Sequence, residues 1–172
     1  GVINLLKIMK IYDCKTIVFS SSASIYYSSK FNNILDENTP KKPISPYGNT
    51  KYIVETILND TFSSNKEWRV ANLRYFNPIG ANPSGIIGEM PVYNSSNIFP
   101  RILEVASGLK DYFEIKGRNW PTKDGTCIRD YIHIDDLVMG HIKTIEHLLD
   151  EKSQILNLNL GTGIGTSVLE LI

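Results

Sequence analysis

The sequence predicts an α/β fold in which a doubly wound, mostly parallel sheet carries helices on both faces, beside a smaller loop-rich lobe. Short apolar runs typical of buried strands alternate with helical segments along the chain. Residues 78–130 are instead interrupted repeatedly by Gly and Pro, which favour turns. The chain has 172 residues, of which 42% are hydrophobic, so it is long enough to bury a core without disulfides.

The first elements are a helix and a strand. The helix is amphipathic, and its apolar positions are Val2, Leu5, Leu6 and Met9. The β-branched and aromatic run 16–19 predicts a buried parallel strand that ends in the serines 20–24. Residues 28–46 are polar and aperiodic, and a loop of this length is usually functional or disordered.

A second helix begins at Ser45 and Pro46, which suit the N-cap and the first helical position. Its predicted buried stripe consists of Ile53, Val54, Ile57 and Leu58. Residues 68–76 predict the next strand, broken by Asn77-Pro78.

The remaining elements alternate in the same way. They are a helix over 98–109, a short strand over 112–116, a strand within 128–134, a helix capped by Asp135 and an alternating strand over 155–160. A further helix starts near the last residue. Because both ends fall inside elements, we expect the chain to be a piece of a longer protein.

Charge and cysteine content exclude several classes of protein. The 18 Lys and Arg balance the 18 Asp and Glu, so the chain lacks the basic excess of a long nucleic-acid or membrane-surface contact. No apolar run approaches the roughly 20 residues of a membrane helix. Cys14 and Cys127 lie far apart, and the histidines show no ligand spacing. We expect no nucleic-acid partner, no membrane partner, no metal and a reducing, cytoplasmic location.

Tyr47 and Lys51 form the first candidate catalytic pair. Four residues apart on the predicted helix, they lie on one face, one turn from each other. An ammonium beside a phenol favours the phenolate, which can act as a general base. Tyr and Lys also occur at this spacing on many exposed helices, so the pair alone leaves that explanation open.

Ser22 makes the catalytic interpretation more specific. A serine run at the carboxyl end of a buried strand lies where open α/β sheets bind their ligands. A hydroxyl there could bond the substrate oxygen that Tyr47 deprotonates. Alternatively, the serines only end a strand and begin a turn.

Four successive motifs carry a family resemblance. They are residues 19–26 (FSSSASIY), 45–51 (SPYGNTK), 74–81 (RYFNPIGA) and 124–133 (DGTCIRDYIH). In this order they resemble the signatures of UDP-glucose 4-epimerases, which belong to the extended short-chain dehydrogenase/reductase superfamily. The Tyr-x-x-x-Lys pair marks only the superfamily, whereas the third and fourth motifs are more specific.

The resemblance implies a partial Rossmann-like fold, NAD as the cofactor, and the interconversion of UDP-glucose and UDP-galactose in galactose metabolism. Tyr47 matches the catalytic base, Lys51 the lysine that tunes it and holds the nicotinamide ribose, and Ser22 the hydroxyl that assists at the sugar. The other implied cofactor-binding residues are Ser20, Tyr75 and Phe76. The other implied substrate-binding residues are Asn77, Asn97, Ile98, Arg129 and Tyr131, with Arg129 gripping the diphosphate.

The resemblance also implies a division of the chain and a homodimer of the complete protein. Residues 1–77 match the second half of the dinucleotide-binding domain, residues 78–130 the substrate-binding lobe, and residues 131–172 the return to the first domain and the start of the C-terminal substrate region. The Gly-rich turn that cradles a dinucleotide pyrophosphate is not in this chain, since residues 161–165 (GTGIG) match a structural turn. We therefore expect the chain alone to be inactive.

Two other functions stay open. A nucleotide-sugar dehydratase or decarboxylase of the same superfamily carries an acidic residue just after the strand-end Ser or Thr, where this chain has Ala23 and Ser24. A catalytically silent nucleotide-sugar-binding fragment is the third hypothesis.

Overall fold

A computed structural model describes residues 1–27, 34–89 and 97–172. These residues form two compact units. Unit 1 consists of Gly1–Phe76 and Val138–Leu160, and unit 2 of Asn77–Leu137 and Gly161–Ile172. The predicted functional segments 1–77, 78–130 and 131–172 follow different bounds and stay a prediction.

Unit 1 is a parallel sheet with helices on both faces, as the sequence predicts. Its elements in chain order are α1 (Val2–Ile11), β1 (Thr16–Ser22), a 3₁₀ turn (Ala23–Ile25), α2 (Pro46–Ser64), β2 (Arg69–Tyr75), the part of α4 (Ile134–Asp150) from Val138 onwards, and β5 (Ile155–Leu160). The strand order is β1-β2-β5, and both pairings are parallel.

Two apolar clusters, one on each face of β2, hold unit 1 together. On one face Leu6 of α1 and Leu58 of α2 pack with Trp68 and Val70. On the other face Leu148 of α4 packs with Ala71 and Leu73. Successive side chains of a strand point to opposite faces. The alternation of Val70 with Ala71 therefore places α1 and α2 on one side of the sheet and α4 on the other.

Unit 2 contains a smaller mixed sheet. Its elements are β3 (Asn77–Ile79), α3 (Ile98–Ala106), β4 (Ile128–His133), the first residues of α4, β6 (Gly165–Ser167) and α5 (Val168–Leu171). β3 pairs with β4 in parallel, and β6 pairs with β4 in antiparallel orientation. A capping box formed by Ser167 and Glu170 begins α5, which confirms the helix expected near the last residue.

β1 ends at Ser22, inside the serine-rich stretch 20–24 as predicted, and Ser21 and Ser22 still pair with β2. Two other strand predictions are corrected. Asn77 and Pro78 do not simply break a strand: β2 ends at Tyr75, and both residues belong to β3. The predicted strand 112–116 is absent, because no described strand pairs with that segment.

Helix boundaries and burial also differ from the predictions. Asp135 does not cap α4, which begins at Ile134; its N–H instead donates to Nδ1 of His133 at 3.2 Å, so the histidine does the capping. α3 ends at Ala106 rather than at residue 109, next to Gly108 with φ +74°. Ile53 is 48% exposed and is not part of the buried stripe of α2.

The long predicted loop 28–46 is only partly described. Residues 28–33 lie outside the described residues, and residues 34–45 contain no helix or strand apart from the single bridge between Tyr26 and Lys41.

Candidate active site

The start of α2 packs closely against the 3₁₀ turn Ala23–Ile25, which follows β1. Ser45 caps the helix as predicted, since its hydroxyl accepts the Gly48 N–H at 3.0 Å, and Pro46 opens the first turn. Gly48 is buried, and a Cβ added there would lie 2.4 Å from the backbone oxygen of Ser24. Only glycine allows this approach, which places the turn that carries Tyr47 beside the strand end that carries Ser22.

Tyr47 and Lys51 lie on one face of α2, as predicted. The Lys51 ammonium is 5.6 Å from the centroid of the Tyr47 ring and 5.2 Å from that of Phe19. It donates to the backbone oxygen of Ser20 at 2.8 Å. The Tyr47 side chain is 52% exposed, so its hydroxyl is accessible to a ligand.

Ser22 lies at the carboxyl end of β1 and is nearly buried. Its hydroxyl donates to the Ser24 hydroxyl and accepts the Ser24 N–H, both at 3.1 Å. In the parallel pairing, Ser22 stands opposite Tyr75 of β2. Phe76 follows, and its N–H donates to the Leu160 oxygen at 3.2 Å. Unit 1 thus gathers Ser20, Ser22, Tyr47, Lys51, Tyr75 and Phe76 around the carboxyl ends of its strands.

His141 belongs to this group, although sequence analysis treated it only as a histidine without ligand spacing. Its Nε2 lies 3.2 Å from the Ser20 hydroxyl, and its ring centroid is 6.1 Å from that of Tyr75. The contact joins residues 121 positions apart, so no local pattern could have revealed it.

A buried ion pair lies under the strand ends, and sequence analysis missed it as well. Arg74 and Glu55 are 0% and 1% exposed and form two parallel bonds, Nε to Oε1 at 2.9 Å and Nη2 to Oε2 at 2.7 Å. The Ser21 hydroxyl donates to Glu55 Oε1 at 2.6 Å. Arg74 also donates to the Tyr26 hydroxyl at 2.9 Å and to Asn157 Oδ1 at 3.0 Å.

The protonation states in this network follow from opposing effects. Burial raises the pKa of Tyr26 above its ordinary value, although the hydrogen bond from Arg74 works in the other direction. The phenol therefore keeps its proton and donates to Asn159 at 2.6 Å. Burial lowers the pKa of Arg74, but the hydrogen bonds to Glu55 and Tyr26 outweigh it and leave that pKa raised, so the guanidinium stays charged.

Apart from Ser22 and Tyr47, the residues that the resemblance assigned to the substrate lie in unit 2. Asn77 of β3 stands opposite Tyr131 of β4 in the parallel pairing. Burial raises the pKa of Tyr131, which keeps its phenol protonated. Arg129 is exposed, and its Nη1 donates to the backbone oxygen of Ile128 at 2.8 Å.

Two further predicted substrate residues, Asn97 and Ile98, lie at the start of α3. Asn97 immediately precedes the helix and donates to Glu89 Oε1 at 3.0 Å, and Ile98 is the first helical residue.

The Gly-rich stretch 161–165 is a structural turn. Asp130 accepts the N–H of Thr162 at 2.9 Å and that of Gly163 at 2.8 Å, so these N–H groups already have an anion as partner. Among residues 1–27, 34–89 and 97–172, no group of three or more acidic, His or Cys side chains could hold a metal ion.

The model of the NAD dependent epimerase/dehydratase family matches residues 1–161. The chain belongs to this family. As a family member it is similar to UDP-glucose 4-epimerase 2 of Oryza sativa subsp. japonica, with 46% identity over 100% of the chain and 42% of that protein. It is similar also to UDP-glucose 4-epimerase of Bacillus subtilis, with 45% identity over 100% of the chain and 50% of that protein. The chain thus spans about half the length of the curated relatives it matches.

Solved structures agree with the family assignment. The UDP-glucose-4-epimerase from Stenotrophomonas maltophila, with bound NAD and formylated UDP-arabinopyranose, is 42% identical with a TM-score of 0.94, over 100% of this chain and 51% of that one. The UDP-glucose 4-epimerase from Bifidobacterium longum, in complex with NAD⁺ and UDP, is 43% identical with a TM-score of 0.90, over 98% and 50%. The α/β fold, with its Rossmann-like parallel sheet, is therefore confirmed.

Within the described parts of this family member, no helix has both the length and the apolar character needed to span a bilayer.

Proposed function

We propose that the complete protein containing this chain is an NAD-dependent UDP-hexose 4-epimerase that interconverts UDP-glucose and UDP-galactose. The observation that carries the proposal is the placement of Lys51, bonded to the Ser20 oxygen at 2.8 Å and 5.6 Å from the ring of an exposed Tyr47. Two relatives at 45% and 46% identity that bear the name UDP-glucose 4-epimerase support it.

In this proposal Tyr47 moves the proton and Ser22 aligns the sugar. Tyr47 is the proposed general base, and its side-chain oxygen takes the proton of the sugar 4-hydroxyl and later returns it. The Ser22 hydroxyl, which bonds Ser24 in the free chain, can rotate to bond the same sugar oxygen. The resulting 4-keto sugar must rotate in the site and present its other face before the carbonyl at C4 is reduced again. Each cycle therefore changes only the configuration at C4.

The donor groups of unit 1 suit a dinucleotide cofactor. An ammonium has three donors, and Lys51 uses one on Ser20, which leaves two for ribose hydroxyls. Ser22 and Tyr75 end adjacent parallel strands, where open α/β sheets bind nucleotides. NAD, when bound there with the help of Ser20, Tyr75 and Phe76, would accept the hydride from sugar C4 and return it to the other face.

Residues of unit 2 are proposed to bind the UDP part of the substrate. Arg129 is exposed and presents a planar fork of donors that matches diphosphate oxygens. Asn77 and Tyr131 stand opposite each other on β3 and β4 and supply an amide and a protonated phenol. Asn97 and Ile98 are proposed to contact the nucleotide.

Substitution of Tyr47 by Phe in the complete protein tests this function. Loss of the general base should lower kcat for UDP-galactose epimerisation by about 100-fold or more, whereas UDP binding measured by calorimetry should change little. Tyr52→Phe, on the same helix, is the matched control and should keep full activity. Wild-type turnover in Tyr47→Phe would disprove the assignment. A stable 4-keto-6-deoxy product from the wild-type protein would favour a dehydratase.

We also propose a homodimer and a cytoplasmic location for the complete protein. The apolar side chains Ile3, Ile8 and Ile53 of α1 and α2 are each about half exposed, at 55%, 52% and 48%, and suit burial against a second copy. Cys14 and Cys127 are both free thiols, which fits a reducing compartment. Analytical ultracentrifugation and cell fractionation test the two proposals.

A further inference from the structure

We propose that Glu55, together with Ser21, is a positioning residue for the proposed epimerase reaction: it fixes α2 on β1 so that Lys51 and Tyr47 hold their places. This inference rests on the proposed function. Glu55 lies too deep to touch a substrate, since it is 1% exposed and accepts bonds from Arg74 and Ser21.

On α2, the three residues Tyr47, Lys51 and Glu55 repeat with the period of the helix. Tyr47, Lys51 and Glu55 follow one another at four-residue spacing, so they form a single row along one face of α2. Tyr47, at the start of the row, is 52% exposed, Lys51 is half-buried and Glu55 is buried. The row therefore runs from the accessible strand end down to the surface of the sheet.

Two consecutive residues of β1, Ser20 and Ser21, form hydrogen bonds with this row. The Ser20 backbone oxygen accepts from Lys51 at 2.8 Å, and the Ser21 hydroxyl donates to Glu55 at 2.6 Å. The two bonds attach α2 to β1 at points one turn apart on the helix. Together they determine both the rotation of α2 and its position along the strand.

Arg74 makes the second attachment rigid. It holds both carboxylate oxygens of Glu55 and is itself held by the Tyr26 hydroxyl and by Asn157. A buried ion pair of this kind gains little over a well-packed apolar pair in stability, because both charges lose their hydration. A bidentate pair does restrict geometry. The contribution we assign to it is therefore the placement of α2.

Without the Ser21 bond, the carboxylate stays paired with Arg74, but α2 loses one of the two hydrogen bonds, described above, that join it to β1. Lys51 then no longer stands at a fixed distance from the Ser20 oxygen. Because Tyr47 lies one turn further along the same helix, it shifts too. Small displacements of reacting groups are costly for turnover, whereas they matter less for substrate binding at remote groups.

Ser21→Ala in the complete protein tests the inference, because it leaves the ion pair intact and the fold least disturbed. We expect kcat to fall by about tenfold or more, with KM for the UDP-hexose changed less than about twofold. The residues proposed to hold UDP lie in unit 2, which this substitution leaves untouched. Glu55→Gln, which keeps one acceptor oxygen, should show the same split between kcat and KM.

A double-mutant cycle separates positioning from general stability. Because part of the effect of Ser21 is exerted through Lys51, Ser21→Ala should lower kcat by a smaller factor in a Lys51→Met background than in the wild-type protein. Leu148→Val, in the apolar cluster on the opposite face, is the control for loss of stability and should leave kcat unchanged. Equal effects of Ser21→Ala with and without Lys51, or an unchanged kcat, would overturn the inference.

A structural readout does not depend on activity. In a crystal structure of Ser21→Ala, the separation between Lys51 Nζ and the Ser20 oxygen should exceed hydrogen-bond distance. An unchanged separation would count against positioning even if the protein proved not to be an epimerase. Absence of UDP-hexose turnover in the wild-type protein would instead disprove only the proposed function.

Discussion

Burial decides which charged residues of unit 1 are available for chemistry. Arg74 and Glu55 form hydrogen bonds with each other and with buried neighbours. Since both side chains are buried, neither can reach a ligand. Lys51 is half-buried and, among the described residues, donates one hydrogen bond, to the Ser20 backbone oxygen; its ammonium also lies near the ring of the exposed Tyr47. Of these three charged side chains, only Lys51 combines a fixed position with donors left for a substrate or cofactor.

Arg129→Lys should weaken substrate binding more than turnover. Lysine keeps the charge but loses the planar fork, so one charge-assisted bond to a diphosphate oxygen is lost, which is worth about 1.5–3 kcal/mol. KM for the UDP-hexose in the complete protein should therefore rise by about 10- to 100-fold, with kcat changed much less. Steady-state kinetics and calorimetry with UDP measure both effects.

Arg118→Lys is the matched control for this prediction. Arg118 is an exposed arginine of the same unit, and we assign it no contact with substrate. Its replacement should leave KM unchanged. If Arg129→Lys bound UDP as tightly as the wild-type protein, the diphosphate role of Arg129 would be wrong.

Local geometry explains which site residues could be predicted from the sequence. The pairing of Tyr47 with Lys51 follows from helix periodicity alone, and the Ser45 cap follows from side-chain chemistry next to Pro46. The contacts of Glu55 with Arg74 and of His141 with Ser20 depend instead on how distant elements pack. No spacing rule encodes such contacts.

At the scale of elements, the sequence predicts that a segment is a strand better than it predicts what covers each face of that strand. Alternating Asn and Leu residues correctly predict β5, but they do not show which side is buried. In the structure Asn157 accepts from the buried Arg74, and Leu158 is 36% exposed. On the Leu face, Leu156 and Leu160 pack against the cluster that contains Leu148, so both faces of β5 are covered. The Asn face is covered because Arg74 of β2 needs an acceptor there.

Segments that need a distant partner are the ones that the sequence predicts least well. Residues 112–116 have the composition of a strand but no described strand beside them. A strand exists only through its pairing with another strand, so composition alone is insufficient. The predicted cap of α4 is wrong for a related reason. Asp135 has a side chain suited to capping, but the His133 side chain already accepts the Asp135 N–H at the start of the helix.

The Asp124 cluster in unit 2 should make stability depend on acid pH. Hydrogen bonds from the Ser167 hydroxyl, and then from the Thr126 hydroxyl and N–H, hold the pKa of Asp124 below its ordinary value. Folding therefore favours the charged form. This stabilisation is fully present above the unfolded pKa of about 4 and is lost as pH falls through the lower folded pKa.

Chemical denaturation of the complete protein between about pH 2 and pH 7 measures this dependence. The free energy of unfolding should fall more steeply below about pH 4 in the wild-type protein than in Asp124→Asn, which has no titrating group at that position. Ser167→Ala, which removes the main cause of the shift, should give an intermediate slope. Identical slopes in all three proteins would contradict the prediction.

At the scale of the whole molecule, the two units divide the proposed chemistry. The proposed acid–base and cofactor residues, including Ser22 and Tyr47, lie in unit 1, and the proposed UDP contacts lie in unit 2. Chain order did not reveal this division, because residues 161–172 return to unit 2 after β5. The resemblance predicts which residues form the site, whereas the partition between the two units depends on packing.

The 172-residue chain by itself should not retain NAD. A dinucleotide needs backbone N–H groups at a Gly-rich turn to hold its pyrophosphate. The one stretch of this kind in the sequence, residues 161–165, has its Thr162 and Gly163 N–H groups bonded to Asp130. On the proposed function, Lys51 and the strand ends of unit 1 would then hold only the nicotinamide side, which is too few contacts for stable binding.

Equilibrium dialysis of the purified chain against NAD measures this, with the complete protein as the positive control. The complete protein should bind about one NAD per chain if it follows the dinucleotide fold of its family, and the 172-residue chain should bind none at the same concentration. Asp130→Ala separates two explanations: if only the Asp130 contacts blocked the turn, this variant of the short chain would gain NAD binding. We expect no gain, because residues 161–165 join β5 to the antiparallel strand β6 rather than to the start of a helix, and so lack the dipole that favours an anion.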